Sequence, residues 1–536
     1  MNDSTKSKSA GQNAHKADAS EKYRFNPKLI DALMLGLIVG IAGAVCMLTP
    51  AGRVPFEDAA MLMRYSQHLA DGQGIVWNAG EKPLDGATDF LFMCTTAAHY
   101  KFSSSKSIQE SVALLDMLSM FAMGAMLYAG LRFYFKTRVM LAFSIAVVFL
   151  LGPGAWYRAA YFGTPFFAAF VMLSYLTGLH IIRAMHVPKC TNWAFAVFCL
   201  LMGLTRPEGV LLAIFILTGI VWARGYERSK HLIFSFAAVF LVLGGAYFAW
   251  RWSYFGHPLP NPFYKKGGGH LYPQSLSESA RNFVRFCLPV IFLLLLKPRM
   301  FTSRLAQGAF IPIILFMGIW VLLSNEMNYM GRFQYPLMVM FFAMVGFFIP
   351  TQRKARNLLR IIALVLLFAG GYYMHNSCEK LANRFYYNKN LDGRYELAIE
   401  LSRYKDRGYY LATTEAGLLP LYSQWKAIDT WGLNDHWIAT NSGVTAEYLD
   451  CYKPAVIMVH ETTPCLPGWD KMTDTLKKYA ADRNYILAGE FGKPGKDVHL
   501  YYVRPDLPDS QALIQTIANC NYFWFKTSKI SPNFAQ

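Results

Sequence analysis

Apolar residues in this chain come in long runs separated by short polar connections. A segment crossing lipid has no water to satisfy its backbone, so it must be a helix of about 17–25 mostly apolar residues. Runs near 29–50, 108–131, 138–155, 164–184, 194–206, 208–223, 231–252, 282–297, 307–323, 333–350 and 357–375 meet or approach that length and predict eleven spans. The fifth and sixth are short and are broken by Thr205-Arg206-Pro207-Glu208-Gly209. The run 89–100 is too short to cross and predicts a re-entrant or interfacial helix. Beyond residue 376 the pattern changes. Helical periods at 380–404, 443–451, 469–482 and 508–519 alternate with strand-like runs at 409–413, 426–429, 454–459, 485–491 and 498–503, which predicts a small α/β domain.

Composition sharpens this picture. Hydrophobic residues make up 54% and charged residues 16%, and mean hydropathy is +0.23. A soluble domain carries about 25% charged residues, so a disordered, fibrous or ordinary soluble protein is excluded. The net charge of +18 raises nucleic acid as a partner, but its placement argues against one. Lys6, Lys8, Lys16, Lys22, Arg24 and Lys28 precede the first span, and the other basic groups fall on every second connection: Arg132, Lys136 and Arg138; Arg183 and Lys189; Arg224, Arg228 and Lys230; Lys297, Arg299 and Arg304; Arg353, Lys354, Arg356 and Arg360. That alternation is a topology signal. It predicts a cytoplasmic, disordered N-terminus (1–28), a transmembrane domain (29–375) and a C-terminal domain (376–536) outside the membrane. The first run is too long for a cleaved signal peptide, and no convincing cleavage site follows it.

Two external loops carry candidate chemistry. Loop 51–107 opens with Glu57-Asp58-Ala59-Ala60, and apolar residues at 59, 62, 65, 69 and 70 predict an amphipathic helix on the membrane surface. Glu57 and Asp58 at its first turn complement the helix dipole. Their height at the head groups also suits a carboxylate that takes a proton from a hydroxyl. Loop 253–281 holds His257, Asn261, Lys265 and Lys266, followed by three glycines. The lysines and the open backbone suit an anion such as a lipid phosphate, although head-group snorkelling explains two lysines equally well. Arg206, Glu208 and Arg332 sit at span ends on the same side. Charges there mark a cavity, or simply an Arg206–Glu208 pair. The Trp431-Gly432-Leu433-Asn434-Asp435 turn suits either a sugar platform or a buried turn. Among nine cysteines, Cys451 and Cys465 form the best external disulfide pair. No Cys/His metal spacing and no nucleotide or hydrolase motif appears.

The runs Glu57-Asp58-Ala59-Ala60 … Arg64-Tyr65 … Asp71-Gly72-Gln73-Gly74-Ile75-Val76-Trp77-Asn78, Thr205-Arg206-Pro207-Glu208-Gly209, Tyr254-Phe255-Gly256-His257-Pro258-Leu259-Pro260-Asn261, Gly331-Arg332-Phe333 and Asp429-Thr430-Trp431-Gly432-Leu433-Asn434-Asp435 resemble the GT-C glycosyltransferases that use polyprenyl-phosphate arabinofuranose. These include the actinobacterial cell-wall and the type IV pilin enzymes. The resemblance runs from residue 50 to about 440. The family often has Asp-Asp-Ala-Tyr at 57–60, and Glu-Thr-Pro where this chain has Gly163-Thr164-Pro165, which removes one polar contact. The resemblance implies a polytopic α-helical membrane protein of GT-C fold in a bacterial inner membrane, with a periplasmic α/β domain. It further implies inverting transfer of a sugar from a polyprenyl-phosphate donor to a glycan or pilin hydroxyl. Asp58 is then the preferred base, with Glu57 as its partner or as a metal or acceptor ligand. Lys265, Lys266, Arg206 and Arg332 hold the donor phosphate, and Glu208, His257, Asn261, Asn434 and Asp435 bind substrate. No nucleotide site is needed, and metal dependence stays open: a divalent cation is compatible with the carboxylates. Competing readings are a GT-C enzyme moving mannose or aminoarabinose, and a transporter. The absence of internal repeats and of mid-membrane charges disfavours the transporter.

Overall fold

The computed structural model describes residues 27–523 except 50–51, 104–106, 267–270, 297–300, 350–356, 386–391, 463–467 and 494–496. The expected disordered N-terminus, the glycines 267–269 and Cys465 lie outside the described residues. Each of the eleven predicted runs falls on helix. Among the described residues, seven helices are long and apolar enough to cross a membrane: Lys28–Leu48, Ile108–Tyr134, Val139–Ala159, Thr164–Arg183, Tyr226–Phe255, Arg304–Val321 and Ile361–Asn383. The other four runs fall on shorter or less apolar elements. Lys189–Thr205 and Glu208–Arg224 have 17 residues each. The run 282–297 starts inside Pro273–Ile291, and 333–350 centres on Tyr335–Met344. The break at Pro207 has a plain cause. Proline has no N–H to continue a helix, yet its fixed φ suits a helix start. Arg206 turns extended, and the next helix begins at Glu208.

The run 89–100 forms the short helix Phe90–Phe102, with Asp89 at its N-cap position. Helix Glu57–Ala70 forms as predicted but does not lie on the membrane surface with one face in water. Ala59, Ala60, Met63, Arg64, Tyr65, Ser66 and Ala70 are buried, on more than one face. The helix packs between Phe90–Phe102 and the C-terminal segment Leu418–Ser423. Arg64 explains how a charge is tolerated there. Its guanidinium donates to the carbonyls of Trp77 (2.8 Å), Trp425 (2.8 Å) and Pro420 and to Asn78 Oδ1 (3.2 Å), so four of its five N–H donors have a protein acceptor in place of water.

The C-terminal domain is a five-stranded mixed sheet: β1 Tyr410–Thr413, β2 Lys426–Asp429, β3 Val456–Thr462, β4 Ile486–Lys493 and β5 Asp497–Val503. The order is β2-β1-β3-β5-β4, with β2-β1-β3 parallel and β3-β5-β4 antiparallel. Alternate residues feed two apolar cores, as the two-residue period of a strand requires. Leu411, Val456 and Met458 enter one, and Ala412, Ile457 and Val459 enter the other.

Candidate functional site

Where helix Glu57–Ala70 meets the ends of the membrane helices, a cavity of about 170 Å³ opens. Two carboxylates, Asp58 and Asp89, and three cations, Arg206, Lys266 and Arg332, line it. Asp58 reaches the cavity because it occupies the first turn of its helix. Its Oδ2 forms an ion pair with Arg332 Nη2. Arg332 lies over the ring of Phe162 at 4.0 Å, so the carboxylate faces an immobilised partner. Arg332 follows Met330 and Gly331, both with positive φ (58° and 71°), at the kink that aims it inward. Arg206 bonds Glu208 Oε1 at 2.6 Å and lies 3.5 Å from Asp89 Oδ2. Burial raises the pKa of Asp89 against the pull of Arg206. Burial lowers that of Lys266, with Asp58 opposing the shift. The cavity thus holds a fixed carboxylate facing cationic groups that suit an anion.

Several predicted site residues stand elsewhere. Glu57 adjoins Asp58 in sequence but turns away from the cavity. Its Oε2 accepts from the backbone N–H groups of Gly417 (2.5 Å) and Leu418 (3.0 Å), and its Oε1 pairs with Arg394 at 2.9 Å. Burial pushes its pKa up to about 7, with Arg394 opposing and Glu415 reinforcing the shift. Lys265 is not among the cavity residues; its ammonium lies 3.9 Å above the ring of Trp431. Asn261 is buried. It donates to the carbonyls of Gly432 and Leu433 (both 2.9 Å) and faces His436 Nδ1 at 2.9 Å, which makes it a latch between the 253–281 loop and the C-terminal domain. Glu208 is occupied by Arg206. An added Cβ at Gly163 would collide with the ring of Phe92, so the glycine found where the family often has glutamate is sterically required here.

The turn 429–435 forms the wall between this cavity and a larger cleft. Asp429 organises it, accepting from the N–H groups of Trp431 (3.1 Å), Gly432 (3.2 Å) and Asn434 (2.8 Å). Gly432 sits at φ +96°, a conformation glycine adopts without strain. Asn434 lines both spaces, accepting from the Tyr65 hydroxyl at 3.1 Å and donating to Asp429 at 3.0 Å. Asp435 and His257 face only the larger cleft. Asp435 caps the next helix turn through Ile438 N–H at 3.0 Å, and burial lifts its pKa to about 6. His257 stacks on His436 at 3.6 Å. Cys451 is exposed with a free thiol, and its Sγ donates to Glu447 O; the expected Cys451–Cys465 bond involves a residue outside the described set.

Sequence reading missed Asp89, which resembles an ordinary cap before an apolar run. It also missed a group that only folding assembles. His460, Asp497 and His499 place their ligand-type atoms within 4.8 Å of one another. His460, however, bridges Glu415 Oε1 (2.5 Å) and Asp497 Oδ1 (2.7 Å). A metal ion would have to break that bridge, so the arrangement fits an imidazolium between two carboxylates better than a metal centre. Among the described residues this is the one group of metal-ligating type that assembles.

The mostly helical bundle with candidate membrane helices and a small C-terminal sheet domain is of GT-C fold, as its likeness to solved structures shows. ArnT from Cupriavidus metallidurans in the apo state shares it with a TM-score of 0.56 at 14% identity, over 87% of this chain and 97% of that one. The same protein bound to undecaprenyl phosphate gives 0.51 at 12% identity, over 87% and 97%. The archaeal oligosaccharyltransferase AglB from Archaeoglobus fulgidus, in complex with an inhibitory peptide and a dolichol-phosphate, gives 0.51 at 11% identity, over 89% and 75%. Residues 384–504 match a domain of unknown function, DUF8728. No curated protein matches the sequence.

Proposed function

We propose that this chain is a membrane glycosyltransferase that moves a pentose, arabinofuranose, from a polyprenyl-phosphate donor to a hydroxyl on the external side of the membrane, with inversion. The observation that carries this reading is the Asp58–Arg332 pair in a cavity shared with Lys266 and Arg206. The acceptor oxygen attacks the anomeric carbon as the bond to the phosphate oxygen breaks. Its proton passes to Asp58, and the departing polyprenyl phosphate is held by Lys266 and Arg206. Arg332 keeps the Asp58 carboxylate aimed. A fold shared with proteins solved holding undecaprenyl phosphate and dolichol-phosphate supports a lipid-linked donor. A second reading, transfer of aminoarabinose, is favoured by the likeness to ArnT and keeps every residue in the same role. The test is a panel of polyprenyl-phosphate sugars offered to the purified protein. Release of polyprenyl phosphate from the arabinofuranosyl donor, abolished in Asp58→Asn, is the expected result. Turnover of the aminoarabinosyl donor alone selects the second reading, and turnover of no donor removes both.

A further inference from the structure

A cleft of about 770 Å³ lies between the first external loop and the C-terminal domain and shares Asn434 with the charged cavity. One wall is an aromatic platform. Trp437 is 39% exposed, and Tyr448 lies parallel to it at 4.2 Å with an interplanar angle of 5°. Tyr448 is itself fixed: its hydroxyl donates to Asp435 Oδ2 at 2.8 Å and lies 3.3 Å from that of Tyr452. One indole face is thus backed by a rigid ring, leaving the exposed area for a ligand. Glu81 also lines the cleft, its carboxylate accepting from the Tyr410 hydroxyl at 2.7 Å and from Asn78 at 3.0 Å, 3.7 Å from Lys426 Nζ. A sugar ring has an apolar C–H face that packs on aromatic carbon and a rim of hydroxyls that needs acceptors. This cleft offers both, and a pre-ordered platform lowers the entropy cost of binding.

A peptide would instead pair with the sheet edge. The sheet's two edge strands are β2 and β4, and Ala427 of β2 lines the cleft. The Ala427 carbonyl already accepts from Trp77 Nε1 (2.9 Å) and Asn78 Nδ2 (3.1 Å), and its N–H donates to Asn78 Oδ1 (2.8 Å). That edge is closed by side chains of the first external loop.

We propose that this cleft is a carbohydrate-binding site, with Trp437 on its Tyr448 backing as the stacking platform and Asp435 and Glu81 as hydroxyl acceptors, and that it holds a glycan acceptor beside the charged cavity. Its role as acceptor site rests on the glycosyl-transfer reading; sugar binding is measured without turnover. The experiment titrates the purified full chain by calorimetry with linear hexasaccharides of pentoses and of hexoses, and with unmodified decapeptides. Binding of at least one hexasaccharide is expected, weakened about tenfold or more in Trp437→Ala, the size of one aromatic contact, and largely restored in Trp437→Phe. No hexasaccharide binding, equal binding by Trp437→Ala, or binding of the peptides alone would overturn the proposal. If the hexasaccharides bind as expected while no polyprenyl-phosphate donor is turned over, the site stands and the transferase reading fails.

Discussion

Glu57 and Asp58 are adjacent in sequence and act in different places: Asp58 pairs with Arg332 in the cavity, whereas Glu57 binds Arg394 and two backbone N–H groups of the C-terminal domain. Successive helical residues point about 100° apart, so two neighbouring carboxylates cannot both face one small cavity without distortion. The acidic pair therefore links the charged cavity to the seating of the C-terminal domain.

Asp58→Asn and Glu57→Ala should separate these roles. Asp58→Asn removes the proposed base, and turnover should fall by about 10²–10⁴-fold with the thermal midpoint nearly unchanged. Glu57→Ala should lower stability by about 1.5–3 kcal/mol, the worth of hydrogen bonds to a charged group. The loss stays at that level because Arg394 keeps Asp392 and Glu415 as partners. Thermal unfolding and transfer assays on both variants read this out. A Glu57→Ala protein that is fully stable but inactive would reverse the assignment.

The two lysines of the 253–281 loop should also divide. Lys266 lines the charged cavity and Lys265 stacks on Trp431. Lys266→Ala should raise the KM for the lipid-linked donor about tenfold or more, as expected for a lost charged contact. Lys265→Ala should leave that KM close to wild type. Steady-state kinetics with varied donor decide it. Equal effects from both variants would mean that the loop binds phosphate as a whole.

What was legible in the sequence was whatever local periodicity encodes. The five strands appear where strand-like runs predicted them, and the central strands β1, β3 and β5 send alternate residues into two cores. The sequence singled out Asp58 by its place just beyond a span, and the fold sets it against Arg332 in the charged cavity. Glu57 was misread because its partners lie 360 and 361 residues away at Gly417 and Leu418. The surface-lying reading of helix Glu57–Ala70 failed for the same reason: nothing near Arg64 announces the Pro420 and Trp425 carbonyls it meets. Asn261 looked like a substrate ligand, but its amide is spent on the 429–435 turn.

The pattern of basic connections predicts an N-terminus inside, and that orientation would put Cys451 outside. Cys451 is exposed on the short helix Ala446–Tyr452. A membrane-impermeant maleimide should label it in intact cells before any reduction. Labelling only after reduction would establish the Cys451–Cys465 bond with the topology kept. Labelling only after permeabilisation would place the C-terminal domain inside, and the external site would be lost with it.

The last prediction concerns pH. His460 is on β3, and its ring lies between Glu415 and Asp497. Burial alone would lower its pKa, but bonds to Asp497 and Glu415 outweigh that and raise it from 6.5 to about 9. A group that holds its proton more tightly when folded stabilises the fold most where the unfolded chain has also kept it. The contribution is therefore complete below about pH 6.5 and is lost as pH rises through about 9. Glu415 also contacts Arg394, which holds Glu57, so deprotonation removes the positive charge between two carboxylates beside the join between domain and membrane bundle. The thermal midpoint of the full chain should fall between pH 7 and 10, and His460→Gln, which carries no titrating proton, should flatten that fall while starting lower at pH 6. A wild-type midpoint that stays level through pH 10, or a slope unchanged in His460→Gln, would show that the imidazolium bridge contributes nothing to the fold.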